Sequence, residues 1–278
     1  MDPSSYSRPL PPPGTSAPLP LRVVESDVDL YWQIALELYL TIESFAERDE
    51  SCSIIVPVGP VFQYRRFVDL MGRRPIDLGK THLFFMDEYL LDRATPIPES
   101  DPLSFRGFIR SELIEPLGSL LPSGNVNFPD PTDPDSYDAK LEALGGADLC
   151  VAGVGINGHV AFNEPPEKGS PMSDAEFGRL PTRVVELTRE TIAINSNTAL
   201  GGAYEQIPRL AVTVGMRQIL SAARVRIYLN RPWQRAVLRK LLYGEVGATF
   251  PVSLLRRHPN ASVMATAEVA QEPKFGLR

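Results

Sequence analysis

The strongest constraint on the fold is an alternation of short, nearly all-apolar runs with stretches of helical periodicity. Residues 81–86 read THLFFM, a continuous run typical of a strand buried on both faces. Residues 21–24, 53–58, 148–154, 183–187 and 225–229 are the other predicted strands. Between them, residues 29–48 place Leu30, Ile34 and Leu38 four apart, which is one face of a helix. Further helices are predicted over 61–71, around 104–114 and over 233–243. Strands that alternate with helices connect through right-handed crossovers. The expected fold class is therefore α/β, with a mainly parallel sheet and helices on both faces. In such sheets ligands bind at the carboxyl ends of the strands, and chemistry is sought there.

Composition sets the remaining bounds. Seven of the 27 prolines fall in MDPSSYSRPLPPPGTSAPLP, so residues 1–20 are expected to be a Pro-rich disordered tail and residues 21–278 one domain. With 43% hydrophobic and 22% charged residues, the rest of the chain has ample material for a core. A formal net charge of −6 without a basic run argues against nucleic acid or an anionic membrane as partner. Cys52 and Cys150 sit in apolar stretches, which excludes a disulfide framework and a cysteine metal site. There is no secretory pattern at the start and no run of ~18 apolar residues, so a soluble, cytoplasmic protein is expected. Residues 121–136 read as a long surface connection and residues 165–181, turn-rich and polar, as a flap beside a site.

Two segments gather polar residues at the ends of predicted strands. In the first, Asp87 and Glu88 follow Phe84-Phe85-Met86. Side chains alternate along an extended chain, so one carboxylate can face a site while the other is held by structure. A desolvated carboxylate has a raised pKa and suits removal of a proton from carbon. The alternative is a helix cap. In the second, Gly153, Gly155 and Gly158 punctuate VAGVGINGHVAFNEP, a loop open to close approach by a ligand. Its spacing matches the dinucleotide fingerprint, but His159 and Pro165 stand where a helix should open. Asn157, His159, Asn163 and Glu164 crowd the same turn, and a histidine beside a carboxylate can shuttle protons near neutrality.

The blocks MDEYL (86–90), GVGINGHVAFNEP (153–165), RLAVTVGMRQIL (209–220) and FPVSLLRRHPN (250–260) resemble the glucosamine-6-phosphate deaminase/isomerase family, and the resemblance covers about residues 21–270. It implies a modified Rossmann-like fold and an aldose–ketose isomerisation of an amino-sugar phosphate that releases ammonia. On this resemblance Asp87 corresponds to the base moving a proton between C2 and C1, His159 to the ring-opening group, and Asn157 and Glu164 to the residues orienting it. Glu88, Gly155 and Gly158 join the substrate-binding set. No cofactor and no metal is implied. The partner is a small sugar or sugar phosphate, and the segment SLLRRH at 253–258 is expected near a subunit contact of a homo-oligomer.

The chain departs from the family most at the phosphate. The family's Gly- and Thr-rich loop is replaced by PVGPV at 57–61, which has one glycine, no hydroxyl, and a Pro60 that lacks an N–H. Gly59 remains. Asn197 stands where a phosphate-binding arginine is expected, Arg235 falls near the family's lysine, and Arg217 is an added cation. Arg217 and Arg235 are thus expected to bind an anionic substrate. The rival readings are a 6-phosphogluconolactonase-like hydrolase, in which Asp87 has no task, and a non-catalytic sugar-sensing module.

Overall fold

The computed structural model describes residues 6–12 and 19–274. A seven-stranded sheet runs in the order β1 (Leu21–Val24), β10 (Ala261–Thr266), β9 (Val225–Leu229), β6 (Leu149–Ala152), β2 (Cys52–Val56), β3 (Thr81–Phe85), β5 (Val126–Asn127). Every neighbouring pair is parallel. A second, antiparallel sheet orders β4 (Asp87–Leu90), β8 (Leu210–Thr213) and β7 (Arg183–Glu186). The helices are α1 (Asp27–Ala46), α2 (Gln63–Arg73), α3 (Phe105–Ile109), α4 (Glu115–Leu117), α5 (Pro134–Ala143), α6 (Asp174–Phe177), α7 (Arg189–Leu200), α8 (Met216–Ser221), α9 (Gln234–Tyr243) and α10 (Ala267–Ala270).

Alternation along the strands builds a core on each face of the main sheet. Ile55, Phe84, Cys150, Ile227 and Leu229 pack with Leu141 of α5 and Leu238 and Leu241 of α9. Their neighbours Ile54, Phe85, Leu149, Val151 and Tyr228 pack with Leu30 and Ile34 of α1 and Phe67 of α2. A strand buried on both sides needs the unbroken apolar runs seen in the sequence. α1 starts at Asp27 because Ser26 and Asp29 form a reciprocal capping box, which satisfies two otherwise free N–H groups.

The apolar run at 81–86 divides between the sheets. β3 ends at Phe85, Met86 N–H donates to Val56 O at 3.1 Å, and the chain enters β4, where Asp87 lies opposite Thr213. The strand expected at 183–187 is β7 of the small sheet; its residues are only partly covered, as at an edge. Residues 1–5 and 13–18 of the Pro-rich segment lie outside the described residues. Its described part touches the body: Leu19 is buried, Pro20 O accepts from Val263 N–H, and Tyr243 Oη donates to Pro9 O at 2.6 Å. Among the described residues no helix is long and apolar enough to cross a membrane.

In the sheet, β2 is followed by β3 on one side and β6 by β9 on the other. The reversal opens a crevice at the carboxyl ends of β2 and β6, where a doubly wound sheet binds its ligand.

Candidate active site

A cavity of about 220 Å³ fills this crevice, walled by the turns after β2 (57–60), β3 (86–87), β6 (153–162) and β9 (230–234), with Ile194, Asn195 and Thr198 of α7 above. Four separate connections thus bring Gly59, Asp87, Gly155, His159 and Arg231 together.

Asp87 and Glu88 take opposite sides of β4, as strand alternation requires. Asp87 lines the cavity, is 7% exposed, and has no side-chain hydrogen-bond partner among the described residues. Desolvation, with the adjacent Glu88 charge added, pushes its carboxyl up to about 8. Glu88 is fully buried and accepts from the N–H groups of Tyr89, Phe105 and Arg106 and from Ser104 Oγ, at 2.8 to 3.1 Å. Burial raises its carboxyl, and those donors only partly offset the rise. The helix-capping role weighed for Asp87 is instead shared by Ser104, the N-cap of α3, whose Oγ accepts from Gly107 N–H, and by Glu88, which accepts from the next two N–H groups; Glu88 does not line the cavity.

His159 is 8% exposed and lines the cavity. Its Nδ1 lies 2.9 Å from Asn157 Oδ1, 3.3 Å from Glu164 Oε2 and 3.1 Å from Thr191 Oγ1. Asn157 Nδ2 donates to Glu164 Oε2 at 2.7 Å and to Thr188 Oγ1 at 3.1 Å. A carboxylate only accepts, so the amide turns its NH2 to Glu164 and its oxygen to the imidazole. Facing two acceptors, Nδ1 carries the proton, which leaves Nε2 as the basic nitrogen. Burial pushes Glu164 up, but the hydrogen bond and charge of His159, with Thr191 and Asn157, outweigh it and hold the carboxyl at about 2.

The backbone beneath needs its glycines. A Cβ on Gly155 would stand 2.1 Å from the His159 ring, and Gly158 has φ +88° with Phe250 2.3 Å from where its Cβ would be. Gly158 packs under Phe250 and does not line the cavity. Asn163 Nδ2 donates to Val160 O and Val214 O, and Arg183 donates to Asn163 Oδ1, tying the loop to β8 and β7.

The arginines expected at an anion lie elsewhere. Arg217 pairs with Asp138 at 3.0 Å and Glu142 at 3.2 Å, Arg235 pairs with Glu268 at 3.3 Å, and neither lines the cavity. Asn197 is exposed. Sequence reasoning passed over Arg231 and Trp233, although both directly follow the strand at 225–229. It also passed over Thr188 and Thr191, which reach the His159 network from α7 and carry no local signature.

No family model matches the chain. It is 32% identical over 228 residues to a glucosamine-6-phosphate deaminase of Porphyromonas gingivalis, covering 80% of this chain and 81% of that protein. To glucosamine-6-phosphate deaminase 2 of Bacillus subtilis it is 28% identical over 236 residues, covering 82% and 88%. In fold it is similar to a monomeric glucosamine-6-phosphate deaminase, with a TM-score of 0.76 at 23% identity, covering 90% of this chain and 98% of that one. It is also similar to 6-phosphogluconolactonase from Trypanosoma brucei, with a TM-score of 0.65 at 17% identity, covering 90% and 97%. A relative above 30% identity aligned across four-fifths of both sequences, on a shared fold, places this chain in the glucosamine-6-phosphate deaminase family.

Proposed function

We propose that the enzyme converts an amino-sugar phosphate of the glucosamine 6-phosphate type into the ketose phosphate and ammonia. His159 Nε2 takes the proton of the C1 hydroxyl and delivers it to the ring oxygen, so that the C1–O5 bond breaks and C1 becomes an aldehyde. Ring opening acidifies the C2 proton. Asp87, as carboxylate, removes that proton while O1 takes up one from the substrate's own ammonium group, which gives an enolamine; Asp87 then returns its proton to C1, which leaves an iminium at C2. Water adds to the iminium and ammonia departs with its proton as ammonium, so the net reaction consumes one water. Asn157 and Glu164 keep the imidazole in the Nδ1–H form throughout.

The observation that carries this reading is the pairing, across one cavity, of an unpartnered carboxyl pushed up to about 8 with an imidazole whose Nδ1 is held by acceptors. A base with a pKa near the working pH is strong enough to take a carbon-bound proton and still ionises. Glucosamine 6-phosphate should yield ammonia and fructose 6-phosphate in equal amounts, and Asp87→Asn should lower kcat by about 10³-fold, within the range for a general base. Failure of the wild type on every aminohexose phosphate would sink the substrate assignment. Lactone hydrolysis untouched by Asp87→Asn would instead favour the 6-phosphogluconolactonase-like reading.

A further inference from the structure

The proposed reaction takes a hydrogen from C2, the carbon that bears the amine. As an ammonium group that amine carries three N–H donors and no acceptor. An amide oxygen suits it, because a neutral acceptor holds the cation without taking the proton that O1 receives. Among the described residues three amide side chains line the cavity: Asn195, Asn230 and Gln234. Gln234 Oε1 is filled by the N–H groups of Asn230 and Arg231, at 2.9 and 2.8 Å. Asn230 directly precedes Arg231, whose guanidinium repels a second cation.

Asn195 stands differently. It lies four residues beyond Thr191 in α7, so the two share one face of the helix. Thr191 Oγ1 is 3.1 Å from His159 Nδ1, and Asn195 Nδ2 donates to Tyr89 Oη at 2.8 Å. With its NH2 so engaged, the Asn195 amide has an Oδ1 that carries no hydrogen bond among the described residues. Tyr89 follows Asp87 by two residues and therefore shares its side of β4. It is 3% exposed, and its ring packs against Phe105 and Phe162 with centroids 4.9 and 5.5 Å away. The hydroxyl is thus a fixed post, and it sets the amide on the side of the strand that carries Asp87. One face of α7 reaches both the His159 network and the flank of Asp87.

We propose that Asn195 Oδ1 receives the 2-ammonium group and selects an amino sugar over its 2-hydroxy counterpart, with Tyr89 as the positioning residue that turns the amide. This rests on the amino-sugar reading above. A hydrogen bond from a charged donor is roughly twice as strong as one from a neutral hydroxyl, and that difference is the discrimination. The nitrogen keeps two hydrogens as it passes from ammonium through enolamine to iminium, so one acceptor serves every stage. Holding the nitrogen also fixes the direction of the C2 hydrogen, which is then presented to Asp87.

The test measures, by calorimetry, the binding of 2-amino-2-deoxyglucitol 6-phosphate and of glucitol 6-phosphate, which lack a C1 aldehyde and cannot react, and beside it the turnover of glucosamine 6-phosphate. Wild type should prefer the amino compound. Asn195→Leu should narrow that preference about 10-fold while binding glucitol 6-phosphate nearly as wild type does, and kcat/KM for glucosamine 6-phosphate should fall about 30-fold. Asn195→Asp, which keeps an acceptor that Tyr89 Oη can face, should retain the preference. Equal affinity of wild type for the two compounds overturns the proposal, as does a folded Asn195→Leu that weakens both by the same factor, or a loss in Asn195→Asp as large as in Asn195→Leu. If wild type turns over glucosamine 6-phosphate and Asn195→Leu keeps the preference, the subsite falls and the reaction stands. If there is no turnover, yet wild type has the preference and Asn195→Leu loses it, the subsite stands and the reaction assignment falls. Should Asn195→Leu fail to fold, Asn195→Ala, the residue best suited to a helix, carries the same measurements with the same expectations.

Discussion

Asp87 and Glu164 are two carboxyls at one site that end up on opposite sides of neutrality. Burial raises both. Asp87 faces the cavity with no hydrogen-bond donor to its oxygens among the described residues and a second carboxylate next along the strand, so desolvation goes unanswered and the group reaches about 8. Glu164, behind the imidazole, collects donors from His159, Thr191, Asn157 and Thr188, and is held at about 2. Burial alone therefore does not set the protonation of a carboxyl. The donors supplied to the charged form do, and groups driven apart in this way divide acid–base work between them.

The widest break in this comparison comes from Asp87→Asn, read through stability as well as turnover. Between about pH 4 and pH 8 the folded protein keeps a proton on Asp87 that the unfolded chain has released, so stability falls as pH rises across that window. The asparagine variant has no such proton. Urea midpoints at pH 5 and pH 8 should show the variant gaining on wild type by ~2 kcal/mol or more towards the alkaline end. Parallel pH dependence in the two proteins would remove the contrast with Glu164. Over the same window the wild-type rate should climb as the carboxylate forms.

Asn157→Asp attacks the other side. It exchanges the amide that donates to Glu164 for a like charge, so the Glu164 carboxyl should rise from about 2. Stability owed to a lowered carboxyl is present above the unfolded pKa and lost as pH falls towards the folded one. The acid-unfolding midpoint should therefore move to higher pH, with a cost of ~1–2 kcal/mol at pH 7 for the donor lost. An unchanged acid midpoint would mean that His159 and Thr191 alone hold the carboxyl down.

The two halves of the comparison were unequally legible in the sequence. The parallel sheet could be read because strands buried on both faces need unbroken apolar runs, and THLFFM is such a run. Asp87 was legible because it ends that run, and alternation along β4 foretold that only one of Asp87 and Glu88 would face the cavity. Asn157, His159 and Glu164 lie within one short loop, so proximity in sequence is proximity in space. Which arginine lines the cavity was not legible in this way. Arg217 and Arg235 attract attention as charges, but a charge in a sequence does not display its partner, and Asp138 and Glu268 come from distant elements. Arg231 differs from them in lining the cavity and in lacking an ion pair among the described residues, properties that exist only after folding.

Thr191 gives the smallest expected effect and the finest test of how donors add up around Glu164. It is fully buried, stands in the first turn of α7, and places Oγ1 3.1 Å from His159 Nδ1, while Thr188 caps the same helix. Thr191→Val keeps the volume and removes the hydroxyl, and a single neutral hydrogen bond contributes ~1 kcal/mol. Asn157 Oδ1 and Glu164 Oε2 still face Nδ1, so the tautomer should survive and only its positioning loosen. The expected result is a fall in kcat of about 5-fold with KM unchanged, and recovery in Thr191→Ser, which restores the hydroxyl. A loss as large as that of Asp87→Asn, rescued by serine, would mean that the donors around Glu164 act as one network rather than as separate contributions. No loss at all would leave the imidazole positioned by its own loop, with α7 contributing the cavity wall but nothing to the proton-transfer machinery.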